Sequence, residues 1–242
     1  MRFLAPLCIA LAIALPLQAQ LALKGSFFIN NQKDLDTLAQ AGGESFRITG
    51  SLWIKGTILE NLQGLEGLKR VGWGLYIQEN RALKNLQGLE NLSKIGGQLH
   101  VEENPALRDL TGLEQVQRVG GDLTLQANAR LEQVDALARL AHIEGRLSLS
   151  NNTRLFHIDG LAALEVITGN LTIGGWSGGN PSLLRLDGLK GLKQVGERVY
   201  ITNNLALTDS AAQVLVDHLQ KREYAGMLVV RDNAAPVEAT EP

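Results

Sequence analysis

The sequence predicts a mostly-β fold, a right-handed parallel β-solenoid of about seven coils of about 24 residues, with helical caps at both ends. The first observation behind this prediction is a triplet of type apolar-x-apolar that recurs every 23, 24 or 28 residues. The second is an asparagine that follows most triplets, and the third is a Gly-Leu pair later in the repeat. Repetition of this kind is typical of repeat proteins, in which each unit packs only against its neighbours.

The triplets have the two-residue period of a β-strand with one buried face. A strand of three residues is too short to be stable alone, so we expect each triplet to pair with its copy in the next repeat, about 4.8 Å away. The first residue of each triplet is then expected to stack in a buried column. The seven triplets begin at Leu52, Leu75, Leu99, Leu123, Leu147, Leu171 and Val199.

An asparagine stands five residues after the start of most triplets, at the corner where the strand ends. We expect these side chains to be buried and to hydrogen-bond the backbone of their own and neighbouring coils, each bond contributing about 1 kcal/mol. In the first repeat Gly56 takes this place, one residue early, and in the sixth a four-residue insertion delays Asn180. The other members are Asn80, Asn104, Asn128, Asn152 and Asn204.

The repeats are predicted to span 51–207. Residues 20–50 are expected to form an N-terminal cap and first strand, with a short helix over 34–41 closed by glycines. Residues 208–233 are expected to hold a helix over about 210–222, with Thr208 or Asp209 as N-cap, and a last strand over 227–230. Val214, Leu215 and Leu219 are predicted on its apolar face, and 234–242 is predicted to be a disordered tail.

The N-terminus resembles an export signal. One arginine precedes an apolar run over 3–17, and small residues follow, so 1–19 is predicted to be a signal peptide cleaved after Ala19. The alternative is a buried N-terminal helix. We expect a periplasmic or extracellular protein with no membrane span in the mature chain. The only cysteine, Cys8, lies within the predicted signal.

These repeats resemble the receptor L domain, which forms ligand-binding lobes in insulin and epidermal growth factor receptors and occurs in exported fungal and bacterial envelope proteins. The resemblance implies a leucine-rich-repeat-like parallel β-solenoid and a binding role. The chain lacks the cysteines that staple the receptor examples, so receptor signalling is not implied. The matching features are the segment 46–50 leading into Leu52-x-Ile54, the asparagine and Gly-Leu positions, and the pattern Ile29-x5-Leu35-x2-Leu38.

Catalytic and metal-binding patterns are weak in this sequence. Residues 175–179 match G-x-S-x-G around Ser177, but no helix is predicted behind it, as a nucleophile elbow requires. The four histidines have no metal-ligand spacing, so we expect no metal and no cofactor. The 23 basic and 25 acidic residues form no long block of one charge, which argues against a nucleic-acid partner. A carbohydrate-active hydrolase or lyase using Glu79, Glu102 and Glu103 remains the alternative to a binding protein.

The candidate binding site lies on the outward face of the predicted sheet. The middle residues of the triplets form one column there, and its first three members, Trp53, Tyr76 and His100, are aromatic, with Trp73 expected at their rim. Trp176 and Tyr200 are secondary candidates. An exposed aromatic patch favours recognition of a protein or a glycan. The alternative is that Trp53 and Trp73 pack under the N-terminal cap.

Overall fold

The computed structural model describes residues 20–175 and 178–234, and this part of the chain is mostly parallel β-structure with two α-helices. In chain order the strands are β1 (Leu21–Leu23), β2 (Phe27–Ile29), β3 (Phe46–Ile48), β4 (Leu52–Lys55), β5 (Leu68–Val71), β6 (Leu75–Gln78), β7 (Lys94–Ile95), β8 (Leu99–Glu102), β9 (Arg118–Val119), β10 (Leu123–Gln126), β11 (His142–Ile143), β12 (Leu147–Ser150), β13 (Val166–Ile167), β14 (Leu171–Gly174), β15 (Gln194–Val195), β16 (Val199–Thr202) and β17 (Leu228–Arg231). Short 3-10 helices span Asp135–Leu137, Asp159–Leu161 and Asp187–Leu189.

The chain alternates between two sheets. The odd-numbered strands β1 to β15 form an eight-stranded sheet, and the even-numbered strands with β17 form a nine-stranded sheet. Neighbouring strands pair in parallel, and each residue of β6 faces its repeat partner in β4 and β8. Residues at the same repeat position therefore lie side by side although 23 to 28 residues separate them along the chain.

The core is built from the inward residues of both sheets. The first residues of the seven predicted triplets, from Leu52 to Val199, are fully buried and paired in register, as predicted. Close packing depends on glycine where two repeats meet: a Cβ on Gly88 would lie 1.9 Å from the carbonyl oxygen of Leu62. A side chain at that position would have to push the two backbones apart.

The asparagines form a buried ladder, as predicted. Asn128 is representative: its Nδ2 donates to the carbonyl oxygen of Val101 at 2.8 Å, and its Oδ1 accepts from the backbone N–H of Asn104 at 3.1 Å. Asn180 occupies its predicted rung despite the insertion. Asn233 adds a rung that the sequence did not predict, with its Oδ1 accepting from the backbone N–H of Asn204.

The prediction for the first rung was wrong. Thr57, which is buried, replaces asparagine there and donates its backbone N–H to Oδ1 of Asn80 at 3.0 Å. Gly56 instead takes the residue before the rung, where the chain turns through a left-handed conformation with φ 66°. Glu79 and Glu103 occupy the same position in the next repeats with φ 59° and 57°.

Two α-helices lie at opposite ends of the sheets. Helix α1 (Gln32–Gly42) packs against β1 and β2, which are edge strands, and the Asn31 side chain caps it by accepting from the N–H of Asp34. Helix α2 (Asp209–Gln220) packs against the edge strand β17, and Thr208 is its N-cap.

Both helices lie where the sequence predicts them, with ends shifted by up to two residues. Within α2, Leu215 and Leu219 are buried as predicted, but Val214 is exposed, and Ala212 and Val216 complete the apolar face instead. Ala234, the first residue of the predicted tail, donates its backbone N–H to the carbonyl oxygen of Leu207 at 2.8 Å.

Several predictions fall on residues outside the described part. These are the signal peptide over 1–19, the candidates Trp176 and Ser177, and the tail over 235–242. Among the described helices, none is long and apolar enough to cross a membrane.

Candidate functional site

One outward residue from each strand of the nine-stranded sheet lies in a column that crosses all nine strands. Strand register places each of them beside its neighbour in the next strand, so the column follows directly from the repeat. One end is aromatic, the middle is Thr and Ser, and an aromatic residue returns near the other end. In order, the members are Phe28, Trp53, Tyr76, His100, Thr124, Ser148, Thr172, Tyr200 and Val229.

The first four members form the aromatic stack (Phe28, Trp53, Tyr76 and His100). The rings of Phe28 and Trp53 are parallel, with centroids 6.2 Å apart and an interplanar angle of 11°. Trp53 and Tyr76 stack at 3.8 Å and 10°. His100 closes the series edge-on, 5.4 Å from Tyr76 at 66°. The structure thus brings together three of the four predicted primary site residues.

The exposure of the stack follows from its own geometry. Trp53, Tyr76 and His100 are half-buried because each ring covers part of the next, whereas Phe28 at the end is 61% exposed. The N-terminal segment therefore reaches the stack through β2, and it contributes another exposed ring. The sequence left open that Trp53 packs under the cap. In the structure Trp53 is half-buried, with Phe28 stacked on one side of its ring.

Polar groups beside the stack fix the orientation of its rings. The Tyr76 hydroxyl donates to Oε1 of Gln98 at 2.6 Å. Nδ1 of His100 lies 3.3 Å from Oε1 of Glu102, whose Oε2 accepts from Nε2 of Gln78 at 2.9 Å. Within the described part of the chain, Nε2 of His100 is buried and has no hydrogen-bond partner. The stack is consequently a preorganised surface with two of its rings anchored by the neighbouring side chains of Gln98 and Glu102.

Trp73 lies at the turn between β5 and β6 and is 70% exposed. Its backbone donates to the carbonyl oxygen of Gly50 at 3.0 Å and accepts from the N–H of Gly97 at 2.9 Å. Among the described residues its ring contacts no other aromatic ring, so Trp73 is an exposed neighbour of the stack and does not continue it.

A groove marks the other end of the column, where the secondary candidate Tyr200 lies. It has a volume of about 770 Å³ and is open to solvent. Thr172, Tyr200 and Val229 of the column line it, together with Arg146 and Asn203. Trp176, which follows the lining residue Gly175, lies outside the described residues.

Of the three carboxylates proposed for a hydrolase, Glu79 and Glu102 are engaged in separate contacts, and the charge of Glu103 acts on Lys55 together with that of Glu79. Glu79 forms an ion pair with Lys55 at 2.8 Å, and this hydrogen bond and charge raise the pKa of Lys55. Glu102 contacts His100 and Gln78, as described above. Among the described residues, no group of three histidine, cysteine or acidic side chains is arranged to hold a metal ion.

Sequence reasoning missed Phe28 as a member of the site. The signal was present, because Phe27-Phe28-Ile29 has the same apolar-x-apolar form as the seven triplets and precedes Leu52 by one repeat length. This triplet falls within the predicted N-terminal cap, because a helix replaces the rest of its repeat. The chain matches no protein-family profile, and no curated protein matches it.

Proposed function

We propose that this protein is a non-enzymatic, exported or envelope-associated binding protein, which recognises a protein or glycan partner through the aromatic stack. The observation that carries this proposal is the stacking of Trp53 on Tyr76 at 3.8 Å, extended by the exposed ring of Phe28. An outward sheet face ordinarily carries small polar residues, as Thr124 and Ser148 do further along the same column.

The stack offers two kinds of surface to a partner. Trp53 and Tyr76 cover one another's faces, so they present ring edges, whereas the outer face of Phe28 has no ring stacked on it among the described residues. Apolar side chains of a protein partner would contact the edges, and a sugar ring would stack on Phe28. Rigid rings lose little conformational entropy on binding, so either contact favours affinity.

We further propose that the two sheets belong to a right-handed solenoid of about seven coils, of the receptor L-domain type. The alternation of the chain between the sheets supports this, as does the asparagine ladder. An experimental structure tests this proposal. We expect the chain to follow a closed, right-handed path, and a left-handed path would contradict it.

Export is the remaining part of the proposal, and the sequence over 1–19 supports it. N-terminal sequencing of the protein recovered from its native host tests it. We expect Gln20 as the first residue in a periplasmic or extracellular fraction, and a cytoplasmic protein that retains 1–19 would contradict export.

The binding proposal is tested by screening residues 20–242 against a glycan array and by pull-down from envelope extracts. Each hit is then repeated with the purified ligand and with two variants, Phe28→Ala and Trp53→Ala/Tyr76→Ala. A glycan ligand should be lost in the first variant, and a protein ligand in the second. The control is Phe156→Ala/Leu184→Ala, which removes two exposed apolar side chains elsewhere.

Ligands that bind all three variants equally would overturn the proposed site. Release of new reducing ends from a bound glycan would favour the hydrolase or lyase alternative.

A further inference from the structure

A column of basic side chains crosses the eight-stranded sheet, on a different face from the aromatic stack. Strand register places these residues side by side in five consecutive strands, from β3 to β11. We call them the basic column: Arg47, Arg70, Lys94, Arg118 and His142. Adjacent members are one strand spacing apart, about 4.8 Å, and a register shift lies beside the Arg47–Arg70 pair.

Most of these charges are free. Arg47, Lys94, Arg118 and His142 are exposed, and Arg70 is half-buried. Arg118 pairs with Glu144. The members Arg47, Arg70 and Lys94 form no ion pair with any residue of the described ranges 20–175 and 178–234.

Three acidic residues in the loops that precede β5, β7 and β9 are engaged elsewhere. Each of these glutamates lies four residues before a member of the column, and each uses its carboxylate to accept the backbone N–H of a glycine in its own loop at 2.9 or 3.0 Å. The pairs are Glu66 with Gly64, Glu90 with Gly88, and Glu114 with Gly112. These carboxylates thus stabilise their own loops and do not form ion pairs with the basic column.

The side of the column that leads to the nine-stranded sheet is open. The residue after the strand is Gly72, Gly96 and Gly120 in three consecutive repeats, so this position adds no side chain beside the cations, whereas in the next repeat it is Glu144, which pairs with Arg118. The turn residue after it is exposed Trp73 in one repeat and Gly97 in the next.

Like charges placed directly opposite one another on neighbouring strands destabilise a sheet. The chain repeats this arrangement three times in succession, from Arg47 to Arg118, although its formal net charge is −2. The sequence contains no contiguous basic block, and for that reason a nucleic-acid partner is not expected from it. In the folded protein, strand register builds a basic block from residues 23 or 24 positions apart.

We infer that the basic column binds a linear anionic polysaccharide with one acidic group per sugar, such as a polyuronate, lying across the strands. Cations that lie one strand spacing apart can each contact one acidic group of a linear polysaccharide whose acidic groups are evenly spaced. Surfaces for single-stranded nucleic acid interleave the cations with an aromatic ring for each base. Here Trp73 is the one aromatic residue among the turn residues described above, so the glycan fits better.

The experiment measures binding of residues 20–242 to polygalacturonate, with its methyl-esterified form as the uncharged probe. We expect binding to the acidic form alone, weakening as salt is raised because the contacts are between exposed charges. Arg70→Gln/Lys94→Gln should weaken binding by roughly tenfold, since each exposed charge contributes modestly. The control is Lys84→Gln/Lys190→Gln, which removes the same charge from exposed lysines paired with Glu60 and Asp187.

Three results would overturn the inference. One is equal weakening by the two double variants, which would indicate a response to net charge alone. Another is equal binding of the methyl-esterified probe. The third is tighter binding, dependent on Arg70 and Lys94, to a single-stranded oligonucleotide or to vesicles containing phosphatidylglycerol, which would assign the column to nucleic acid or to a membrane surface. The aromatic stack is untouched in these variants, so failure here leaves the proposed function standing.

Discussion

The rings of Trp53 and Tyr76 lie face to face, with centroids 3.8 Å apart, although 23 residues separate them in the sequence. Their strands β4 and β6 pair in parallel with Trp53 opposite Tyr76, which puts both side chains on one face. The same register builds the asparagine ladder and the basic column. A repeated position in the sequence thus becomes a continuous line of one chemistry on the protein.

Leu123 tests the packing of the core. It is fully buried and paired with Leu99 and Leu147 in the neighbouring strands. Leu123→Ala removes buried methyl groups and leaves a cavity, so we expect it to lower the free energy of unfolding by about 2–5 kcal/mol in urea denaturation. Thr124→Ala, at the adjacent half-buried position, is the control and should change it by less than about 1 kcal/mol. Similar effects of the two substitutions would contradict the described burial.

Asn128 tests the ladder. Asn128→Leu leaves the carbonyl oxygen of Val101 and the backbone N–H of Asn104 without their side-chain partner. Buried groups left unpaired cost about 1–3 kcal/mol, and thermal denaturation should show that loss. Gln126→Leu alters a half-buried side chain two residues earlier and should be nearly neutral. A stable Asn128→Leu protein would show that the ladder contributes little.

Substitution of Gly56 and of Gly88 distinguishes the cost of a left-handed backbone conformation from the cost of disturbing close packing. A Cβ on Gly88 would meet the backbone of Leu62, whereas a Cβ on Gly56 would meet no atom within 4 Å, and both residues have positive φ. Gly56→Ala should cost only the left-handed conformation, about 1 kcal/mol, which Glu79 and Glu103 already tolerate. Gly88→Ala should cost more than about 3 kcal/mol, because the backbone segments around Leu62 and Gly88 must move apart. Equal costs in chemical denaturation would contradict this distinction.

The pairing of Asp159 with Arg185 predicts a dependence on pH. The Arg185 guanidinium donates a hydrogen bond to Asp159 and lowers the pKa of that carboxyl. A lowered pKa in the folded state stabilises the protein above the unfolded value of about 3.9, and this contribution is lost as pH falls through the folded pKa.

Arg185→Gln should therefore reduce Tm at pH 7, and its difference from the parent should disappear under strongly acidic conditions. Arg139→Gln is the control, since Arg139 bonds the neutral side chain of Gln115. Parallel Tm curves for Arg185→Gln and the parent over the whole range of pH would exclude this linkage.

Much of the fold could be predicted from the sequence, because the repeat fixes strand phase and spacing. The buried leucines, the asparagine rungs and both helices follow from local pattern. Thr57 and Asn233 could not be assigned, since they belong to the outermost rungs, where the motif degenerates. The role of Phe28 was missed for the same reason.

The candidate site was predictable only as a column of positions. The sequence placed Trp53, Tyr76 and His100 together, but the contacts that orient the rings depend on side-chain conformation. Gln98, for example, accepts a hydrogen bond from the Tyr76 hydroxyl, and it lies in a loop at a position that no sequence pattern marks. The basic column escaped notice because charge was counted along the chain, whereas register acts across repeats.

The aromatic stack is the proposed binding surface, and one affinity measurement tests that proposal directly. Titration calorimetry with a protein ligand found in the screen should give a dissociation constant at least about 30-fold weaker for Trp53→Ala/Tyr76→Ala than for the parent, as expected for buried aromatic contacts. Trp53→Phe/Tyr76→Phe keeps the stacked rings and should retain most of the affinity. An unchanged dissociation constant in a folded double-alanine variant would contradict the claim.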